Sequence, residues 1–180
     1  AFAGQLGEPS STQASVESVA TAIVDCPHST PAWTDSGVMC LRTTNFRVGG
    51  LQLSEVRYVS EETYQERIKR LEPQPGDVVY SREGGILGIA CVIPEGGPVC
   101  LGQRMMLVRP GPSCLPEFLA LMLNAPQTVR EVERLTGGTA SPHLNVGDVR
   151  RFMIPLPPLD EQKQIVARVH HLTRLCDTLE

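Results

Sequence analysis

The sequence predicts a mixed α/β (α+β) domain with a mostly antiparallel, hairpin-rich sheet and short helices, followed by a coiled-coil-type C-terminal helix. Short apolar runs separated by glycine pairs at 49–50, 84–85 and 96–97 predict strands joined by turns. The last thirty residues begin with prolines at 155, 157 and 158 and continue with apolar residues four and three apart, which predicts the terminal helix.

The elements follow from local composition. Residues 1–13 are rich in Gly, Pro and Ser after an apolar start, and we expect the end of a preceding element and a linker there. Residues 14–24 are small and apolar and fit either a short helix or a strand. Strands are predicted at 38–41, 57–59, 77–81, 86–93, 104–109 and 152–154. Helices are predicted at 61–71 with Ser60 as its N-cap, at 116–124 and at 126–135, before Gly137-Gly138.

The terminal helix carries a narrow apolar seam. A seam of this kind is typical of a helix that pairs with a second helix, and an alternative is a helix docked on its own domain. The pattern still runs at Glu180, so we expect the seam to be part of a longer helix. The residues predicted to pair are Ile165, Val169, Leu172, Cys176 and Leu179.

Composition argues against some classes of function but does not identify the function. The net charge is −4, but residues 1–41 contain four acids and no Lys or Arg, so the rest of the chain is balanced and is neutral evidence about nucleic acid. No apolar run approaches the length of a membrane span, and we expect no membrane association. The six cysteines include no Cys-x-x-Cys, so no metal site is predicted, and cysteines within apolar runs fit a reducing cytoplasm.

Motifs for catalysis are weak. No glycine-rich loop ends in Gly-Lys-Ser/Thr, which argues against an NTPase. Cys26 lies two residues before His28, and a hydrolase using this pair is a minor alternative because no nucleophile-elbow pattern surrounds it. We therefore expect a protein that is not an enzyme and needs no cofactor.

Three segments resemble one family. Residues 154–162 read Ile-Pro-Leu-Pro-Pro-Leu-Asp-Glu-Gln, residues 75–85 contain Pro-Gly-Asp-Val-Val-Tyr, and residues 25–31 read Asp-Cys-Pro-His-Ser-Thr-Pro. Together they resemble the specificity (S) subunit of type I restriction-modification systems. In that family one chain carries two target recognition domains, each reading half of a split DNA site, and two long helices hold the domains apart. The subunit recruits methyltransferase subunits and, for cleavage, restriction subunits.

The resemblance implies a division of this chain. Residues 1–13 correspond to the end of a preceding helical region and a linker, residues 14–157 to one target recognition domain, and residues 158–180 to the start of a conserved spacer helix. The chain then reads one half of a bipartite site in double-stranded DNA. Its expected partners are methyltransferase (M) subunits, restriction (R) subunits, and a second copy or the missing half of an S subunit. A non-DNA protein-interaction module that dimerises through the C-terminal helix is the alternative.

Residues for base readout are expected in loops. Arg82, predicted at the tip of a hairpin beside Gly84-Gly85, is the first choice for a guanine or a phosphate, and the amides of Asn45 and Gln103 suit adenine. The full set of candidates is His28, Ser29, Thr30, Arg42, Thr43, Thr44, Asn45, Arg82, Gln103, Arg104, Thr139, Ser141 and His143.

Overall fold

A computed structural model describes residues 12–84, 86–137 and 142–177, and it confirms the mixed α/β class with mostly antiparallel sheets. The strands are β1 (Thr12–Ser15), β2 (Ala20–Asp25), β3 (Val38–Leu41), β4 (Phe46–Arg47), β5 (Gly50–Leu51), β6 (Arg57–Val59), β7 (Val78–Ser81), β8 (Ala90–Val92), β9 (Val99–Leu101), β10 (Met105–Pro110) and β11 (Met153–Leu156). The helices are α1 (Val16–Val19), α2 (Glu61–Arg67), α3 (Pro116–Leu123), α4 (Pro126–Thr136), α5 (Val146–Arg151) and α6 (Leu159–Asp177).

The main sheet has four antiparallel strands in the order β2-β10-β7-β8. A second sheet has the order β6-β3-β9, in which β3 and β9 run parallel. Strand β1 pairs with β11, and β4 pairs with β5 across a two-residue turn. The turn predicted at Gly49-Gly50 thus lies in a short hairpin that was not predicted, in which Gly50 begins β5, whereas Gly96-Gly97 connects strands of two different sheets.

The main sheet is buried on both faces, because its alternate side chains belong to two different core clusters. Val78, Tyr80 and Met106 pack with residues of α1, α3, α4 and α5. Val79 and Leu107, which point to the other face, pack with residues of β3, β4 and β9. Successive side chains of a strand point to opposite faces of the sheet, so a strand that is apolar on both faces must be covered on both.

Several boundaries differ from the sequence predictions. Strand β8 begins at residue 90 rather than 86, because Gly88 at φ +77 turns the chain and its amide bonds back to the carbonyl of Ser81. Helix α2 is opened by Ser60 as predicted but ends at residue 67, and Pro73 disfavours a helical conformation at residue 72. Strand β1 begins at Thr12, inside the segment expected to be a linker. Strands β4, β5 and β9 and the six-residue helix α5 were not predicted.

Helix α6 is packed at its start and exposed along its second half. Ile165 and Val166 pack against the core. From residue 170 to 176 every side chain is exposed. The first two turns of α6 are therefore docked on the domain, whereas the rest of the described helix leaves its seam residues uncovered.

Candidate nucleic-acid interface

Most of the predicted DNA-contacting residues lie at one end of the main sheet. Strands β2 and β7 finish there, and β8 and β10 begin there, since Met106 pairs with Asp25 and Met105 with Ser81. The loops at this end are 26–30, 82–89 and 102–104, and residues 142–144 join them through the bridge between Glu83 and His143. We call this end, defined by those four segments, the loop end.

Arg82 lies in the connection between the paired strands β7 and β8, as predicted, but its side chain occupies the interior of the loop end. The residue is only 2% exposed. Its guanidinium forks onto the carboxylate of Asp25, with Nε–Oδ1 and Nη2–Oδ2 distances of 2.8 Å, and Nη1 lies 2.9 Å from Oε1 of Glu83. Nη1 also donates to the carbonyl of Leu144 at 3.1 Å. A guanidinium with this many internal partners fastens three chain segments together.

Two histidines flank this buried ion pair at the surface. His28 Nε2 lies 2.9 Å from Asp25 Oδ2, and His143 Nδ1 lies 3.4 Å from Glu83 Oε1. Their side chains are 60% and 45% exposed, so part of each ring faces solvent although Nδ1 of His28 also lies 3.9 Å from Glu83 Oε1. Both histidines were predicted to contact DNA, and Ser29 and Thr30 are exposed beside His28.

Arg104 is the most accessible arginine of the predicted set at the loop end. Its backbone has φ +67, the one positive φ among the described residues other than glycine. A Cβ at Gly84 would lie 3.2 Å from Arg104 Nη1, so a side chain there would crowd the guanidinium. Gln103, half-buried beside it, donates from Nε2 to the carbonyl of His28 and thereby joins the 102–104 loop to the 26–30 loop. A backbone held in the left-handed region is often found at functional loops.

The segment 42–45 serves the fold more than the surface. Thr43–Asn45 forms a 3₁₀ turn, and Asn45 is buried with its Oδ1 accepting from the amide of Arg42 at 2.9 Å. Its Nδ2 donates to the carbonyls of Gln52 and Glu55, so the amide predicted to read adenine is already bonded internally. Arg42 Nη2 likewise donates to Glu55, and Thr44 is the exposed member of this segment.

Two groups near the loop end were not predicted. Arg67, buried at the end of α2, donates to four loop carbonyls, and Arg70 donates to the carbonyl of Asp25 at 3.1 Å. Helical arginines usually face solvent, and no local pattern distinguishes Arg67 from its neighbours. Four arginines thus contact this end, against the two carboxylates that pair with Arg82. Among these six groups the positive charges outnumber the negative ones, although the whole chain is at −4.

The opposite end of the main sheet holds the start of helix α6. Gln162 is fully buried there: its Oε1 accepts from the amide of Leu115 at 2.9 Å, and its Nε2 donates to the carbonyls of Ser113 and Pro157. Ser113 and Leu115 follow the end of β10 and precede α3. We call this set of contacts the Gln162 clamp. The loop end and the root of the helix therefore lie at opposite ends of the same sheet.

The seam residues differ in exposure. Ile165 and Val169 are half-buried, whereas Leu172 is 54% exposed and Cys176 is exposed. Leu179, Thr139 and Ser141 lie outside the described residues. None of the described helices has the length and hydrophobicity needed to cross a membrane.

The thiol of Cys26 is unsuited to act as a nucleophile. Burial raises its pKa, so the reactive thiolate is disfavoured, and its sulfur accepts a bond from the amide of Met105 at 3.3 Å. Across residues 12–84, 86–137 and 142–177 no group of three or more His, Cys, Asp or Glu is arranged to hold a metal ion. The centre of the loop end is instead filled by the guanidinium of Arg82.

Comparisons with known proteins agree on one family. A family model described as "Type I restriction modification DNA specificity domain" matches residues 44–180. The chain is 24% identical over 170 residues to the type I restriction enzyme EcoKI specificity subunit of Escherichia coli K12, covering 91% of this chain and 36% of that protein. It is 27% identical over 152 residues to the EcoBI specificity subunit of Escherichia coli, covering 80% and 30%.

A solved structure gives the same result for the fold. The crystal structure of the HsdS subunit from Thermoanaerobacter tengcongensis matches with a TM-score of 0.66 and 22% identity, over 99% of this chain and 41% of that one. This chain spans about a third of the length of the two curated relatives.

Proposed function

The chain belongs to the family of type I restriction-modification DNA specificity domains, and on that premise we propose that it reads one half of a bipartite site in double-stranded DNA. The loop end is the surface that meets the duplex. The chain makes and breaks no bonds itself, and methylation and cleavage belong to partner subunits. Five buried free cysteines support a cytoplasmic location.

The observation that carries this proposal is the convergence of separate segments at the loop end. His28, Gln103, Arg104 and His143 come from three stretches of sequence that are far apart, yet they line one surface over the buried Arg82. A local excess of positive charge favours binding to DNA phosphates, and hydrogen-bond donors on loops can reach the edges of bases. A chain of net charge −4 that concentrates arginine at one end is suited to binding DNA there.

The residues divide into contacting and supporting groups. Arg104 is exposed and fits a phosphate or the acceptor edge of guanine, and the exposed rings of His28 and His143 lie at the same loop end. Gln103 approaches the duplex with its remaining hydrogen-bonding capacity. Arg82, whose donors are used by Asp25, Glu83 and Leu144, supports the loops and does not touch a base.

Helix α6 supplies the second half of the proposed function. We assign residues 14–157 to the recognition domain, residues 158–180 to the start of the spacer helix and residues 1–13 to the end of a preceding helical region and its linker. The exposed seam from Leu172 onward pairs with a helix of a second copy or of the missing half of an S subunit. Methyltransferase subunits dock on this assembly, and restriction subunits join it for cleavage.

Binding to a fluorescein-labelled random-sequence duplex tests the DNA role. Fluorescence anisotropy is measured at several salt concentrations, with and without the methyltransferase subunit. We expect an affinity that falls steeply with salt, and a slope of log K against log salt that is about one unit smaller in Arg104→Ala. Arg130→Ala, which removes an exposed arginine on α4, is the matched control. Salt-independent or absent binding in both preparations contradicts the proposal.

The alternative function is a protein-interaction module without DNA. The observation in its favour is the open seam, in which Leu172 is 54% exposed on a helix that the domain holds only at its start. Light scattering of Leu172→Asp, with Thr173→Asp as the control on the same turn, reports the pairing. The alternative is supported if Leu172→Asp loses pairing and the parent chain does not bind DNA. If Leu172→Asp still pairs, the seam is not the pairing surface.

A further inference from the structure

Arg67 makes an unusual set of contacts at the loop end. Its Nε donates to the carbonyl of Leu101 at 2.6 Å and its Nη2 to that of Gly102 at 3.0 Å. The same guanidinium donates to the carbonyl of Ser29 from Nη1 and Nη2, both at 3.2 Å, and to that of Pro27 at 3.4 Å. One side chain therefore binds the backbone of both the 26–30 loop and the 102–104 loop.

The charge of Arg67 has no carboxylate partner. In the part of the chain that the structure describes, no Asp or Glu lies within ion-pair distance of its guanidinium, although the residue is only 8% exposed. Arg82 and Arg109 are different, because Asp25 and Asp77 neutralise them. A buried cation balanced only by carbonyl dipoles leaves a fixed positive charge beneath the two loops.

The helix that carries Arg67 is held independently of the loops. Ser60 caps helix α2, and the hydroxyl of Tyr64 donates to Glu72 Oε1 at 2.8 Å. Tyr64 also packs with Cys40, Val59 and Cys100 of the second sheet. Arg67 thus projects from this helix onto two loops, each of which has few backbone hydrogen bonds: Cys26 and Gly102 donate to the carbonyls of Met105 and Leu41, and the carbonyl of Arg104 accepts from Arg82.

We propose that Arg67 is a positioning residue for DNA readout, which sets the relative geometry of the loops that carry His28, Gln103 and Arg104. This inference rests on the proposed function. The forked guanidinium is required because it reaches four carbonyls in fixed directions, and a lysine ammonium at the same position has fewer donors and no planar fork. Arg67 itself does not contact DNA, since its donors are used by the protein backbone.

Selection from a random-sequence duplex library separates positioning from charge. The library is incubated separately with three proteins, and the duplexes that bind to each are sequenced. The proteins are the 180-residue parent chain, Arg67→Lys and Lys69→Met. We expect the parent and Lys69→Met, which loses an exposed charge two residues away, to enrich the same motif. Arg67→Lys keeps the charge and hence the salt dependence on random duplex, but its preference for that motif falls about tenfold or more.

The outcomes are distinct. If the parent enriches no motif, the proposed function fails before Arg67 is in question. If Arg67→Lys enriches the parent's motif with the parent's preference, the positioning role is overturned. Circular dichroism checks folding, and Arg67→Gln, which keeps two amide donors, replaces Arg67→Lys if the latter unfolds. If both variants unfold, Arg67 maintains the whole domain rather than two loops, and the inference is also overturned.

Discussion

Replacing Gln162 tests how the root of the C-terminal helix is held. Gln162→Met keeps the length and approximate volume of the side chain but removes its donor and its acceptor. The amide of Leu115 and the carbonyls of Ser113 and Pro157 then lose a buried partner. A buried polar group left without its partner costs roughly 1–3 kcal/mol. Because Ser113 is exposed and water can reach its carbonyl, we expect a total of about 3–5 kcal/mol, toward the low end of the sum over three groups.

Urea denaturation followed by circular dichroism measures this loss in the free energy of unfolding. In a thermal melt the same change lowers the midpoint by roughly 6–20 °C for a domain of this size. Gln164→Met is the matched control, because Gln164 is exposed on the same helix two residues away. A destabilisation by Gln162→Met that is within about 1 kcal/mol of the control, which is close to the accuracy of the method, refutes the reasoning.

Three further predictions concern the loop end and the cysteines. Arg82→Met removes the cation that pairs with the carboxylates of Asp25 and Glu83, and we expect urea denaturation to show a destabilisation of about 2–4 kcal/mol. The control Arg134→Met has no measurable effect, and equal stability of the two variants contradicts the role of Arg82. Arg104→Gly is more stable than Arg104→Ala by roughly 1 kcal/mol, because only glycine adopts φ +67 without strain, and identical urea midpoints argue against that strain. In the unpaired chain, iodoacetamide labels one cysteine in the native state and six after unfolding, as counted by mass spectrometry, because the thiol of Cys176 is exposed and the other five are buried; labelling of native Cys26 contradicts the structure.

Much of the fold was predictable because its signals are local. Ser60 caps α2 as a serine before two acidic residues does, and the prolines at 116 and 126 stand at the first positions of α3 and α4. The parallel pairing of β3 with β9 was not predictable, because β9 is three residues long and its partner lies about sixty residues earlier. Helix α5 was also missed, although Asn145 before it and Asp148 in its first turn are the usual signals of a helix start.

The sequence predicted which loops form the candidate site, but it did not predict which of their side chains are buried. The loops containing His28, Gln103, Arg104 and His143 were selected from their polar residues, and the structure brings them to one end of the sheet. Arg82 and Asn45 were selected by the same reasoning and are buried, because the sequence does not indicate that Asp25 and Glu55 come from elsewhere to meet them. Whether an arginine faces solvent or the interior depends on such distant partners, and a single sequence does not contain that information.

The Gln162 clamp and the loop end are joined by strand β10, which runs the length of the main sheet. Six residues of extended chain measure roughly 20 Å, and a sheet buried on both faces bends little over that distance. A tilt of about 5° at Gln162 therefore swings the far loops by roughly 2 Å, which is more than a hydrogen bond to a base tolerates. A rigid sheet thus transmits a change at the root of the helix to the loop end, and under the proposed function the angle at which the helix leaves the domain sets how the loops meet a duplex.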